Sequence, residues 1–188
     1  MLNRKALTAI AFGVSVLWLA TADAQDAGTH GPAMTAQDRA EIQQLVAKYA
    51  RALSTCAAKE YADLFTPDGV FISNDFRGGK HRELYGQSAT LVGRDKLMEL
   101  VETEDFCLNP ETRAARARTS ATANPPPANI VIEPTPEGAK GTVPFGNGGR
   151  YDDLYVKTPD GWRFKSRSVV MPPATEPQRT QPTPSRRD

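Results

Sequence analysis

Helical periodicity in the first half of the chain and short turn-linked strands in the second predict an α+β fold, with helices covering one face of a mainly antiparallel sheet. Ile42, Leu45, Val46, Tyr49 and Leu53 recur at the spacing of one helical face. From Asn129 onward the pattern shortens to β-rich segments separated by Thr135-Pro-Glu-Gly138, Gly146-Asn-Gly-Gly149 and Thr158-Pro-Asp-Gly161. Such turn chemistry between apolar runs predicts a meander.

The first 24 residues read as an address rather than as fold. Arg4 and Lys5 precede an apolar run from Ala6 to Ala20, and Ala22-Asp23-Ala24 is a small-x-small cleavage site, so 1–24 is expected to be a secretory signal cut near Ala24. The rival, a membrane anchor, would need ~20 apolar residues. Cleavage removes two of the 23 basic and one of the 22 acidic side chains, leaving 21 of each. A balanced charge provides no field to hold a polyanion, so nucleic acid is not an expected partner, nor is a membrane after cleavage. The expected protein is periplasmic or secreted, and of one-domain size.

Residues 25–34 lack periodicity and predict a flexible leader. Thr35 to Asp38 has the form of a capping box opening the first helix. A second helix is expected over Lys59–Phe65, burying Tyr61, Leu64 and Phe65, with Pro67-Asp68-Gly69 turning the chain into a strand at Val70–Ser73. Arg77-Gly-Gly-Lys80 reads as a loop and Leu84–Val92 as extended. Asp95 is placed to cap a third helix running through Glu104, with Leu97, Leu100 and Val101 buried. Asn109–Pro127 reads as a surface loop with a helical turn at Arg113–Arg118. Strands follow at Asn129–Glu133, Lys140–Phe145, Arg150–Lys157 and Trp162–Met171. The domain spans 35–171, and 172–188, rich in Pro, Thr, Gln and Arg, predicts a disordered tail.

Two cysteines, Cys56 and Cys107, remain after cleavage. In an oxidising compartment an even count favours a disulfide, with two buried thiols or one reactive thiol as the alternatives.

The stretch from Tyr49 to Phe71, with its helix end, tight corner and Pro-Asp-Gly turn, resembles the opening of SnoaL-like proteins of the nuclear-transport-factor-2-like superfamily. Gly93-Arg-Asp-Lys-Leu97 resembles their third-helix entry. Asn129-Ile-Val-Ile-Glu133, Gly149-Arg-Tyr-Asp-Asp153 and Asp160-Gly-Trp-Arg-Phe164 resemble their last three strands. The resemblance implies a cone-shaped barrel of one strongly curved sheet covered by three N-terminal helices, often in a homodimer. Its apolar pocket hosts dehydratases, isomerases, cyclases and non-catalytic binders. Here that pocket would be lined by Tyr49, Leu53, Phe71, Tyr155 and Trp162.

Alternation along the Arg150–Lys157 strand puts Tyr151, Asp153 and Tyr155 on one face. Resemblance turns that face inward, which makes Asp153 a candidate base and Tyr151 a candidate donor. The alternative for Asp153 is a solvated acid paired with Arg163 or Arg167 across the hairpin. His30 lies in the leader, and His81 is the third catalytic candidate, with a surface histidine as its alternative. The acid that catalytic relatives often carry at the end of the first helix is Ser54 here, Ala57 replaces another acid often seen in that corner, and Pro125-Pro-Pro127 stands where their histidine would be. No phosphate-binding glycine loop, dinucleotide fingerprint or short-range metal-ligand pair is present, so neither cofactor nor metal is expected. Two functions follow as expectations. One is a cofactor-independent lyase or isomerase, dehydratase- or cyclase-like, acting on a small apolar compound. The other is a binder of such a compound, or an accessory protein, without turnover.

Overall fold

The computed structural model describes residues 33–120 and 129–172; the expected signal segment, most of the leader, the tail beyond 172 and residues 121–128 lie outside the described residues. Helix α1 (Ala36–Ser54) opens with the expected box: Asp38 N donates to Thr35 Oγ1 at 3.0 Å, and Thr35 N donates back to Asp38 Oδ2 at 3.0 Å. Its buried stripe is Ile42, Leu45, Val46, Tyr49 and Ala52, laid across the sheet. Helix α2 (Ala58–Ala62) is shorter than expected, because Phe65 already belongs to strand β1 (Phe65–Ser73).

Three further differences separate the structure from the expected elements, the first of them caused by a contact between segments distant in sequence. The Arg77–Lys80 loop and the start of the expected extended stretch form helix α3 (Gly79–Tyr85), and only Ala89–Val92 is strand, β2. The backbone N–H of Lys80 donates to Asp105 Oδ1 at 2.8 Å, so a residue 25 positions away caps α3. Gly79 permits this: its φ is +70°, and a Cβ there would fall 1.7 Å from Asp105 Oδ2. Helix α4 (Arg94–Glu102) has Gly93 rather than Asp95 at its cap; Asp95 lies in the first turn, where a carboxylate suits the positive end of the helix. The chain then makes the short helix α5 (Asp105–Leu108) and α6 (Pro110–Ser120), which contains the expected Arg113–Arg118 helical turn and extends it through a stretch otherwise expected to be loop. Asn109 Oδ1 accepts from the N–H groups of Glu111 (2.9 Å) and Thr112 (3.2 Å), and Arg116 stacks on Phe106 at 3.9 Å.

Strands β3 (Val131–Thr135), β4 (Gly138–Pro144), β5 (Arg150–Thr158) and β6 (Gly161–Val170) form the expected antiparallel meander. With β1 and β2 they make one six-stranded sheet in the order β2-β1-β6-β5-β4-β3, in which β1 pairs with β6 in parallel. Two irregularities bend it. Pro67-Asp68-Gly69 sits inside β1 as a break in register between Phe65 and Val70, and β6 slips against β5 between Leu154 and Tyr155. Bulges of this kind raise local twist and curl a sheet. The result is the α+β cone, with α1, α2 and α4 as the expected helices and α3, α5 and α6 in addition.

Cys56 and Cys107 form a disulfide joining the corner after α1 to α5 across 51 positions. Closing a loop of that size contributes up to about 4 kcal/mol on the chain-entropy model. Reduction should therefore lower the melting temperature by about 10 °C. A scan with and without reductant checks this, and coincident transitions would contradict it.

Candidate functional site

Asp153 and Arg167 stand directly opposite each other on β5 and β6. Simple alternation from Trp162 and Phe164 would send Arg167 outward, but the slip beside Lys165 resets the pleat and turns it in. Both side chains are fully buried. Arg167 Nε donates to Asp153 Oδ1 at 2.8 Å and Nη2 donates to Oδ2 at 2.7 Å, a two-pronged pair. Tyr155 OH also donates to Asp153 Oδ2, at 2.6 Å. Gly141, paired with Asp153 on β4, leaves room for that phenol: a Cβ there would lie 2.5 Å from the Tyr155 ring.

Above the guanidinium lie aromatic faces. The Arg167 Cζ is 3.9 Å from the Tyr49 ring centre, 4.2 Å from Tyr151 and 4.3 Å from Phe164. Its buried Nη1 has no hydrogen-bond partner among the described residues, and attraction to the rings takes that place. Burial disfavours the charge on Arg167, but the Asp153 carboxylate outweighs it and holds the guanidinium above its ordinary value.

Over this floor opens a cavity of about 380 Å³ lined by aromatic and aliphatic side chains from α1, β1, α4 and β5, among them Tyr49, Leu53, Phe71, Leu100 and Tyr151. Tyr61 OH donates to Tyr49 OH at 3.3 Å, and the Tyr49 ring meets that of Tyr151 edge-on, with centres 5.7 Å apart. Burial pushes all three phenols above their ordinary value, so they remain hydrogen-bond donors at neutral pH. Polar side chains complete the lining: buried Ser73, and Asp75, Arg77, His81, Glu104 and Asp105 toward the mouth. Asp75 accepts from Arg77 at 2.8 Å, and Asp105 caps α3.

His81 is carried by α3, with a side chain 11 % exposed. Its ring lies against Phe76 and Tyr85, with centres 5.5 and 5.8 Å away. Nε2 is 2.7 Å from the carbonyl oxygen of Leu100, and Nδ1 is 3.4 Å from Glu104 Oε2. Burial raises the Glu104 carboxyl above its ordinary value, against the pull of His81.

Tyr49, Leu53, Phe71, Tyr151 and His81 thus line one cavity. The other three candidates do not. Asp153 points inward with Tyr151 and Tyr155, yet it lies beneath the floor with both oxygens taken by Arg167 and Tyr155, which corrects its reading as a free pocket base. Tyr155 is wholly buried and holds Asp153. Trp162 packs elsewhere, its Nε1 donating to Asp38 Oδ1 at 3.1 Å in a surface cleft shared with Thr35 and Lys157. A larger groove of about 600 Å³ lies near Asp63, Arg94 and Arg163, where Arg94 is already paired with Asp63. Glu104 is the site residue that the sequence reading placed merely at a helix end; its nearness to Cys107, which the disulfide ties to the α1 corner, was the available signal.

Single substitutions Asp153→Asn and Arg167→Met should each cost about 3–5 kcal/mol, because each leaves a buried polar partner uncompensated. The Asp153→Asn/Arg167→Met double variant should cost less than the sum of the two single losses. Denaturant titration of the three proteins checks it, and additive or sub-kilocalorie losses would contradict a coupled buried pair.

No curated protein matches the chain. Solved structures similar to it include an NTF2-like protein with a cystatin-like fold from Novosphingobium aromaticivorans, 17 % identical, with a TM-score of 0.48, covering 74 % of this chain and 84 % of its own. A cystatin-like-fold protein of unknown function from Nostoc punctiforme is 16 % identical, with a TM-score of 0.48, covering 76 % of this chain and 97 % of its own. ActVI-ORFA from Streptomyces coelicolor is 16 % identical, again with a TM-score of 0.48, covering 70 % and 95 %. The family model of the SnoaL-like domain matches residues 34–168, almost the whole of the folded region, and the chain belongs to the SnoaL-like family.

Proposed function

We propose that this is an exported SnoaL-like protein that takes a small, largely apolar carbonyl or phenolic compound into the aromatic cavity and moves a proton on it without a cofactor. The reaction is of the lyase or isomerase kind. The observation that carries this reading is His81, a largely buried imidazole that lines the same cavity as the protonated phenol of Tyr151. Dehydration, cyclisation and double-bond migration share a first step, removal of a proton next to a carbonyl. In this reading His81 Nδ1 takes that proton, and the electron pair moves onto the carbonyl oxygen. Tyr151 OH donates a hydrogen bond to the oxyanion. The proton then returns to another carbon, or to a hydroxyl that leaves as water.

A second reading, binding without turnover, is favoured by Ser54 and Asp153. Ser54 Oγ is spent on the carbonyl of Ala50 at 2.7 Å, and Asp153 is locked in its ion pair, so neither offers a carboxylate to a ligand. Export is supported by the signal-like sequence of residues 1–24 and by the disulfide. A homodimer is part of the proposal by family habit.

Exchange of the α-protons of 2-tetralone in D2O, followed by proton NMR, separates the readings. The enzyme reading expects exchange above the spontaneous rate, reduced at least about a hundredfold in His81→Asn and about tenfold in Tyr151→Phe. Binding of the ketone with no added exchange would establish the binder instead.

A further inference from the structure

The last inward position of β1 carries a hydroxyl among apolar neighbours. Phe71 and Ser73 alternate with the partly exposed Val70 and Ile72, and both reach the cavity. Ser73 is only 3 % exposed, and burying a hydroxyl costs free energy unless its hydrogen-bonding capacity is used. That capacity is used in part. The oxygen accepts from the backbone N–H of Asp75 at 3.4 Å, while the O–H finds no acceptor among the described residues. The polar side chains nearest in sequence are engaged elsewhere: Asp75 accepts from Arg77 Nε, and Arg77 Nη2 donates to the carbonyl oxygen of Pro172 at 2.9 Å. Ser73 therefore presents a hydrogen-bond donor to the cavity that the protein itself leaves unmatched.

Sheet register places this donor relative to Tyr151. Val169 of β6 pairs with Ser73 of β1 on one side and with Tyr151 of β5 on the other, so the three residues share one rung, and all three line the cavity. Two strand spacings, about 10 Å, separate the backbones of the two hydroxyl-bearing residues, with the apolar Val169 between them. The Tyr151 ring packs on Phe145, with centres 4.6 Å apart; Phe145 follows β4, on the side of β5 away from β1. The serine hydroxyl and the phenol thus serve different parts of a bound molecule.

We propose that Ser73 is a specificity-determining residue of the cavity, its hydroxyl donating to a second oxygen of the bound molecule, away from the carbonyl. This rests on the reading in which Tyr151 receives the carbonyl oxygen, but the preference it creates is one of binding and needs no turnover. The ligand class is narrowed accordingly, to a ring ketone that carries a further hydroxyl on its far side. In the open cavity water can satisfy the serine. A ligand hydroxyl replaces that water and its hydrogen bond, whereas a methyl group of similar size displaces the water and leaves a buried donor unpaired. A site built this way discriminates against the analogue that lacks the oxygen more strongly than an apolar wall discriminates by size.

Calorimetric titration with 2-tetralones bearing either a hydroxyl or a methyl group at position 6 or 7 tests the assignment, because the two substituents differ little in size. The parent protein should bind at least one hydroxy ketone about tenfold more tightly than its methyl counterpart. Ser73→Ala should bind the two alike. Equal affinity for hydroxy and methyl ketones in the parent overturns the proposal, and this comparison decides even where the variant is unstable. A preference that survives in Ser73→Ala also overturns it, since another group then reads the hydroxyl. Solvent exchange of the α-protons is followed on the same ketones. A serine-dependent preference without exchange supports the role of Ser73 while the proton-transfer reading falls, and exchange without any preference does the converse. If the parent binds none of these ketones, both fall.

Discussion

The buried pair of Arg167 and Asp153 is the interaction on which the interior of the cone depends. Removing two charges from water is expensive, and the cost is offset here by a two-pronged hydrogen bond, a third bond from Tyr155 and three aromatic faces. Those faces are also the walls of the cavity: Tyr49 and Tyr151 touch the guanidinium on one side and line the cavity on the other. The ion pair therefore sets the position of the phenols without presenting a charge to a ligand.

Polarity is divided along the cone axis as a result. The closed end holds a neutralised ion pair under phenols that burial keeps protonated, which suits donation to an oxygen that gains charge. The mouth holds the titratable groups, His81 and Glu104, on segments pinned by the Asp105 cap and the disulfide. On the proposed reading, a small molecule in this apolar cavity is held at its oxygen by a phenol while His81 takes a proton from it. The division of polarity also separates this chain from the arrangement that family resemblance implies, since Ser54 and Asp153, the positions nearest to the expected acids, are both engaged by the protein itself.

The elements that were legible in the sequence are those whose signals are local. The α1 stripe, the Thr35–Asp38 box and the turns of the meander can be read from a few neighbouring residues. Helix α3 was not legible, because its cap is Asp105 and its Gly79 is there for that carboxylate. The orientation of Arg167 was not legible either, since one slipped residue near Lys165 reverses the face of everything after it. By contrast, α6 carried a readable start, Asn109 followed by Pro110, that its arginine-rich body obscured. Alternation placed Tyr151, Asp153 and Tyr155 together correctly, yet depth along the cone decided that Tyr151 meets the cavity and Asp153 does not.

The central claim is that ligands meet the aromatic cavity above the ion pair and that the acid/base groups stand at its mouth. Titration of the isotope-labelled protein with 2-naphthol, followed residue by residue in proton–nitrogen correlation spectra, tests this most directly. The account predicts that the largest shifts fall on Leu53, Phe71, Leu100, Tyr151 and the His81 ring, with the Trp162 indole unmoved. Shifts centred on Trp162, Lys157 and Asp38, with Tyr151 and His81 unchanged, would contradict it.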